Sequence, residues 1–175
     1  MRLTNSITEY GFFSKIFHWL SAAVLIIQIP LGMYLVDMDF SEKRLTIENI
    51  HVAVGIGIFY LTVLRLIYKA FNPTPKLNNS IFPGQKIIAK LNHVFLYISI
   101  LMITISGALK KLYNGEELDM FFFNLEIQDN FDLAEIFYEI HILGNYTLIA
   151  LISLHIFAVL IHKILFKENL LKRIL

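Results

Sequence analysis

The chain has 175 residues, of which 57% are hydrophobic, and its formal net charge is +1. Soluble domains are close to half apolar, so this composition indicates a membrane protein, and the length indicates a single domain over residues 1–175. The absence of cysteine excludes disulfides, thiolate zinc sites, Fe–S clusters and covalently attached c-type haem. The basic residues are dispersed rather than gathered in one stripe, which gives no indication of nucleic-acid binding.

Four apolar stretches are long enough to cross a bilayer, which takes about 20 helical residues. They run from about Phe13 to Val36, Ile47 to Ala70, Ala89 to Leu109 and Ala134 to Leu165. Only helices satisfy their own backbone groups over such lengths in lipid, so we predict an all-α transmembrane four-helix bundle. The first stretch is too long for a cleaved signal peptide and lacks a cleavage motif, so we expect a retained helix. Pro30 should kink or loosen it.

The charged residues predict how the bundle is oriented. The N-terminal segment, the second connection and the C-terminal segment are rich in Lys and Arg. The third connection is acidic and carries Glu116, Glu117, Asp119, Glu126, Asp129, Asp132, Glu135 and Glu139. We therefore expect both termini and the NPTPK loop (Asn72–Lys76) to be cytoplasmic. The segment Phe121–Ile127 should pack at the outer membrane interface.

The chain contains six histidines, namely His18, His51, His93, His141, His155 and His162. The predicted topology places His18 near the inner end of the first helix and His51 near the outer end of the second. The fourth helix carries His141 and His155, fourteen residues apart. That spacing is almost four turns and about 21 Å, so both rings project from one face at different depths. By depth, His51 should face His141 and His18 should face His155.

Two facing imidazoles can bind the iron of one haem, and such ligation suits electron transfer because it leaves no open position. We therefore predict two haem b groups stacked through the bilayer. A structural role for single histidines, satisfied by backbone carbonyls, is the alternative. A zinc site would require the ligands to cluster in one sphere, which these depths do not favour.

Glycines close to these histidines are candidates for contact with a flat macrocycle. Gly55 and Gly57 follow His51, Gly144 follows His141, and Gly107 lies late in the third helix. Ordinary packing of small residues between membrane helices explains the same glycines equally well. We take Gly55 as a candidate cofactor-binding residue.

Several motifs extend along nearly the whole chain. They are His18-Trp19, IHVAVGI (Ile50–Ile56), VLRL (Val63–Leu66) followed by NPTP, LNHVFLY (Leu91–Tyr97), ISG (Ile105–Gly107) and the long stretch from His141 to Ile174. Together they resemble the bacterial cytochrome b561 family of di-haem membrane cytochromes. The chain departs from the family pattern where Lys163 follows His162, where Asn145 separates Gly144 from Tyr146, and where Ile174 replaces a terminal Met.

The resemblance implies the same two ligand pairs, quinone chemistry at the cytoplasmic side and a place in the bacterial inner membrane as a multi-pass protein. A member this short is similar to the superoxide oxidase type, which passes electrons from superoxide at the outer surface to ubiquinone. The same fold also serves as the cytochrome b subunit of hydrogenases and other dehydrogenases, so an anchor subunit with a redox partner is the alternative. A cofactor-free bundle acting as a transporter or scaffold is a third.

Further candidates lie near the inner ends of the helices. His162 is seven residues beyond His155, about 10 Å nearer the cytoplasm, where it could bind a quinone carbonyl or a haem propionate and supply a proton. His93 should lie at a similar depth and have a similar role. Arg65 could pair with an inner propionate. Interfacial snorkelling or anchoring is the plain alternative for all three.

Superoxide is an anion, and the acidic outer loops would disfavour its long-range attraction. Any attraction must be local, from Lys110, Lys111, Lys43 or Arg44. We take Lys110 and Lys111 as the candidates for the superoxide reaction. The acidic surface could instead dock a basic partner protein.

Overall fold

The computed structural model of the protein describes residues 2–75 and 83–175. Four long helices follow one another, α1 (Phe12–Val36), α2 (Glu42–Phe71), α3 (Gln85–Tyr113) and α4 (Phe131–Ile164), and a 3₁₀ turn spans Leu170–Arg173. Each long helix is long and apolar enough to cross a membrane, which confirms the predicted all-α transmembrane bundle. Of the NPTPK loop, Lys76 lies outside the described residues.

The helices extend beyond the predicted apolar stretches because polar caps, rather than hydropathy, determine where they begin. The Ser41 hydroxyl accepts a hydrogen bond from the Arg44 backbone N–H at 3.2 Å, so α2 starts five residues before the predicted Ile47. The Asn130 side chain accepts from the Leu133 N–H at 3.1 Å and caps α4. The helix α1 continues unbroken through Pro30.

The connection between α3 and α4 contains a structure that the sequence analysis did not predict. Gly115, with φ of 75°, follows the end of α3. Strands β1 (Leu118–Asp119) and β2 (Asn124–Leu125) then pair antiparallel, and Phe121 adopts φ of 67° in the turn between them. The Tyr60 hydroxyl of α2 donates to the Met120 carbonyl at 3.1 Å and ties this hairpin to the bundle.

The two ends of the bundle are distinguished by the chain segments that meet there. At one end, the Lys15 ammonium donates to the Leu175 carbonyl (2.5 Å) and the Trp19 indole to the Ile174 carbonyl (2.9 Å). The Asn5 amide also donates to the Pro73 carbonyl at 3.0 Å, so both termini and the α2–α3 connection share this end, which we call the terminal end. The opposite end carries the α1–α2 and α3–α4 connections, and we call it the loop end.

The four helices do not pack evenly around the bundle. The most extensive contact is between α3 and α4, followed by α1 with α2 and α2 with α3, whereas α4 makes few close backbone contacts with α1 or α2. The small central core, formed by Ile58, Ile100 and Leu148, is supplied by α2, α3 and α4. Only 11–17% of residues in each span are buried, so most apolar side chains face outward toward lipid. Because the α4 backbone lies further from α1 and α2 than from α3, space remains between α4 and the first two helices.

Candidate haem sites

Two pairs of histidines bridge that space. The ring centroids of His51 and His141 are 6.2 Å apart, and those of His18 and His155 are 6.3 Å apart. Metal–nitrogen bonds of about 2 Å, with about 1 Å more from each nitrogen to its ring centre, place two axial imidazole centroids about 6 Å apart. Both pairs therefore have the separation that one intervening metal ion requires.

The helix α4 supplies one histidine to each pair. His141 lies toward the loop end and His155 lies fourteen residues, or about 21 Å, closer to the terminal end. Their partners come from α2 for His141 and from α1 for His155. These are the pairs expected from depth alone, and we call them the loop-end pair (His51, His141) and the terminal-end pair (His18, His155).

The loop-end pair has a ring that is oriented for ligation. The His141 Nδ1 donates to the Ile103 carbonyl of α3 at 2.8 Å, which leaves Nε2 unprotonated in the neutral ring. The Nδ1 atom of His51 is buried without a hydrogen-bond partner among the described residues. A buried polar atom of this kind is costly unless a bound group satisfies it. Both observations fit a metal-centred group between the rings.

Two glycines allow the helices to approach these rings closely. A Cβ atom added at Gly32 would lie 2.9 Å from Cε1 of His51. One added at Gly107 would lie 2.9 Å from both Cε1 and Nδ1 of His141. Any larger residue would therefore displace a ring of the loop-end pair. The sequence analysis noted Gly107 only for its depth and did not identify Gly32 as a neighbour of His51.

The other glycines that the sequence singled out do not lie against a histidine ring. A Cβ at Gly55 would make only an ordinary 3.8 Å contact with the Gln28 amide, and one at Gly57 would meet nothing within 4 Å. A Cβ at Gly144 would lie 2.8 Å from the Ile103 side chain, so Gly144 serves the close packing of α4 on α3. The structure thus supports the helix-packing alternative for Gly144 and leaves Gly55 with space around it.

A cavity of about 420 Å³ surrounds the loop-end pair and reaches the loop end of the bundle. Apolar side chains of α1, α2 and α3 form much of its wall, and both histidines line it. Lys110 and Lys111 also line it, and each is paired, Lys110 with Glu48 at 3.1 Å and Lys111 with Glu116 at 2.6 Å. The two candidate lysines thus lie together at the cavity, with their charges partly neutralised.

Gln28 is a buried polar residue of this cavity that the sequence analysis missed. Its side-chain amide donates to the His51 backbone carbonyl at 2.7 Å, and its Oε1 atom has no partner among the described residues. A polar amide near the middle of an apolar span is expensive in lipid, so its presence on the first helix was a usable signal.

The terminal-end pair has different neighbours. A guanidinium nitrogen of Arg65 on α2 lies 3.3 Å from Nδ1 of His18, so Arg65 contacts the ring itself. His93 lies with its ring centroid 5.2 Å from that of His155, and its Nδ1 donates to the Ala89 carbonyl at 2.6 Å. From the sequence, His93 was expected to lie at a depth similar to that of His162 and to have a similar role; in the structure its ring lies against the terminal-end pair. The sequence could not show which face of α3 would meet α4.

His162 forms a separate buried site at the terminal end. Its side chain is 7% exposed, and its Nε2 atom lies 3.1 Å from the Gln85 amide nitrogen of α3. Its Nδ1 atom lies 3.5 Å from the Glu168 carboxylate, which is long for a hydrogen bond but close for an ion pair. Gln85 and Glu168 were not identified from the sequence. Gln85 is far from His162 along the chain, and Glu168 lies beyond the apolar span of the fourth helix.

A zinc centre receives no support from this arrangement. Within residues 2–75 and 83–175, no three or more His, Asp or Glu side chains converge as a metal-binding group. Four of the six histidines instead lie in two pairs at two depths, which is the arrangement expected for two haems, while His93 lies against one pair and His162 lies apart.

Comparisons with known proteins agree with the geometry. The family model of prokaryotic cytochrome b561 matches residues 9–175. The chain is 27% identical to cytochrome b561 homolog 2 of Escherichia coli K12, over 100% of this chain and 95% of that protein. It is 28% identical to the probable superoxide oxidase CybB of Yersinia pestis, over 90% of each protein.

Proposed function

Because the chain belongs to the prokaryotic cytochrome b561 family, and so is a membrane electron-transfer protein that uses haem b, we propose that it is a di-haem superoxide:quinone oxidoreductase of the bacterial inner membrane. The observation that carries this proposal is the presence of two imidazole pairs, 6.2 and 6.3 Å apart, at opposite ends of one bundle. The loop-end pair holds one haem b and the terminal-end pair holds the other.

Haem b, when bound, supplies a one-electron carrier, and the protein determines where each carrier lies. His141 and His155 place the two carriers about 21 Å apart along α4. The Ile103 carbonyl orients His141, and Gly32 and Gly107 leave room for the rings. This spacing allows electrons to move between the two faces of the membrane.

The terminal end is the cytoplasmic end in this proposal. It carries the basic N-terminal segment and the 3₁₀ turn with Lys172 and Arg173, in accord with the excess of basic residues in cytoplasmic segments. His162 binds the quinone and gives it a proton, since its buried ring is adjacent to a carboxylate that can return that proton. The balanced reaction consumes two superoxide ions, one quinone and two protons, and yields two O₂ and one quinol.

The loop end is the side that receives superoxide. Lys110 and Lys111 provide local positive charge at the cavity of the loop-end pair. Support for superoxide as the donor comes from the similarity to a protein named probable superoxide oxidase.

The test is an assay of the purified full-length protein loaded with haem. We expect two haems per chain with a bis-histidine spectrum, and reduction of a ubiquinone analogue driven by a superoxide source in the absence of any partner. The matched control is the H51A/H141A protein, which should retain one haem and lose the superoxide reaction. A haem-free spectrum, or a di-haem protein that neither consumes superoxide nor reduces quinone, would overturn the proposal.

The acidic loop-end surface favours one second candidate, an electron-transfer or anchor subunit of a hydrogenase or other dehydrogenase. The α3–α4 connection and the start of α4 expose carboxylates including Glu116, Glu117, Asp119, Glu126 and Asp129. Such a surface attracts a basic redox protein and repels superoxide. Stable co-purification of a dehydrogenase subunit, together with no turnover of the isolated chain, would select this candidate.

A further inference from the structure

The groups next to the two histidine pairs differ in a way that would affect the reduction potential of a haem bound at each pair. Nδ1 of His141 faces a carbonyl oxygen at 2.8 Å, whereas Nδ1 of His18 faces the Arg65 guanidinium at 3.3 Å. A carbonyl accepts the ring N–H and makes the imidazole a more basic ligand, which favours ferric iron. A guanidinium has donors only and cannot accept that proton.

We propose that Arg65, acting through His18, sets the reduction potential of the terminal-end haem above that of the loop-end haem, and so directs electrons toward the terminal end. This inference rests on the proposed assignment of a haem to each pair. Arg65 contributes in two ways, and both raise the reduction potential of the terminal-end haem. It leaves the His18 ring without an acceptor, and it places a positive charge beside it, which favours ferrous iron because reduction removes one positive charge from the centre.

A second side chain near the terminal-end pair, that of Lys69, is also positively charged. Lys69, one turn along α2, lies with its ammonium 4.8 Å from the centroid of the Tyr97 ring, and Arg65 lies 5.4 Å from the same centroid. Among the described residues no carboxylate is within ion-pair distance of either cation. No carboxylate therefore offsets the positive charge of Arg65 beside His18 or of Lys69 beside Tyr97.

Around the loop-end cavity, by contrast, the positive and negative charges balance. Three basic residues and three acidic residues line it, namely Arg44, Lys110, Lys111, Asp37, Glu48 and Glu139. Because Lys110 is also paired directly with Glu48, little net charge acts on the loop-end pair. The difference in surrounding charge therefore favours transfer from the loop end to the terminal end.

The test is a redox titration of the full-length di-haem protein, followed by the α bands and by the low-spin ferric EPR signals. The H51A protein, which retains only the terminal-end haem, assigns the two transitions. In R65Q we expect the equilibrium constant for transfer from the loop-end to the terminal-end haem to fall about tenfold, which is about 59 mV for a one-electron couple. The loop-end transition should move much less.

Two further variants and a control test whether the shift comes from the positive charge near His18, rather than from poor haem loading or from a general loss of surface charge. R65K keeps the charge and should restore most of the potential, and K69Q should lower the terminal-end potential by a smaller amount even if R65Q loads haem poorly. R2Q removes an exposed positive charge at the terminal end and should change neither transition. An unchanged or higher terminal-end potential in both R65Q and K69Q, or equal shifts of both haems, would overturn the inference. Because the titration requires neither superoxide nor quinone, failure of the proposed reaction would be seen separately.

Discussion

The two histidine pairs have nearly the same separation but very different surroundings. At the loop end, two glycines lie against the rings, a carbonyl accepts from His141, and a cavity opens beside Lys110 and Glu48. At the terminal end, the Arg65 guanidinium lies against His18 and the His93 ring lies against His155. The equal separations suit one metal ion between the rings of each pair, while the different neighbours give the two pairs different electrostatic surroundings.

The comparison also shows how one helix can serve two sites. The helix α4 packs closely on α3 and makes few close backbone contacts with α1 or α2. Its face with His141 and His155 therefore meets rings from both of those helices, and Leu148 between them packs in the central core. The partners then come from two different helices. A change at one end can therefore alter one centre and leave the other intact, and this independence can be tested.

The largest expected effect is the loss of one haem by substitution of a single ligand. We expect H51A to lose the loop-end haem and H18A the terminal-end haem, so that each protein retains about half of the wild-type haem, because a six-coordinate haem depends on both axial ligands. The haem content per protein, with the spectrum of what remains, measures this. Loss of both haems in either variant would show that the two sites are not independent.

The next effect separates the two ends by function. We expect H162Q to slow quinone reduction on the order of 100-fold, because a positioned acid or base typically contributes 10²–10⁴-fold. Both haems should still bind, and superoxide should still reduce them in a single-turnover experiment, since His162 lies seven residues from His155. Stopped-flow spectra in the absence and presence of a quinone analogue distinguish the two steps. Unaltered quinone reduction in H162Q would place the quinone elsewhere.

A smaller effect concerns packing at the loop-end pair alone. We expect G107A to destabilise the protein by about 1–3 kcal/mol and to lower its loop-end haem content, because the added Cβ would lie 2.9 Å from the His141 ring. G57A is the matched control, since its added Cβ meets nothing within 4 Å. Thermal unfolding and haem content compare the two variants, and a G107A protein as stable and as well loaded as G57A would contradict the expected contact.

Much of this architecture could be predicted from residues alone, and the exceptions have physical reasons. The spans and the histidine pairs follow from hydropathy and helical rise, because in lipid both quantities translate directly into depth. The rotation of each helix about its axis does not follow from them. For this reason neither the contact of His93 with His155 nor that of Gly32 with His51 was predicted. The β1–β2 hairpin was missed because its strands have only two residues each.

The smallest expected effect tests the charge at the loop end. We expect the K110Q/K111Q protein to consume superoxide roughly two- to fivefold more slowly, because it loses local positive charge at the cavity where an anion must enter. Haem reduction by ubiquinol at the terminal end should be unchanged. In the variant, Glu48 and Glu116 lose their basic partners, so their negative charge is no longer offset near the cavity. E116Q is the matched control, because it frees Lys111 and should speed superoxide consumption instead. Equal slowing of the superoxide and ubiquinol reactions, or no slowing of either, would show that the cavity charge has no role in selecting the electron donor.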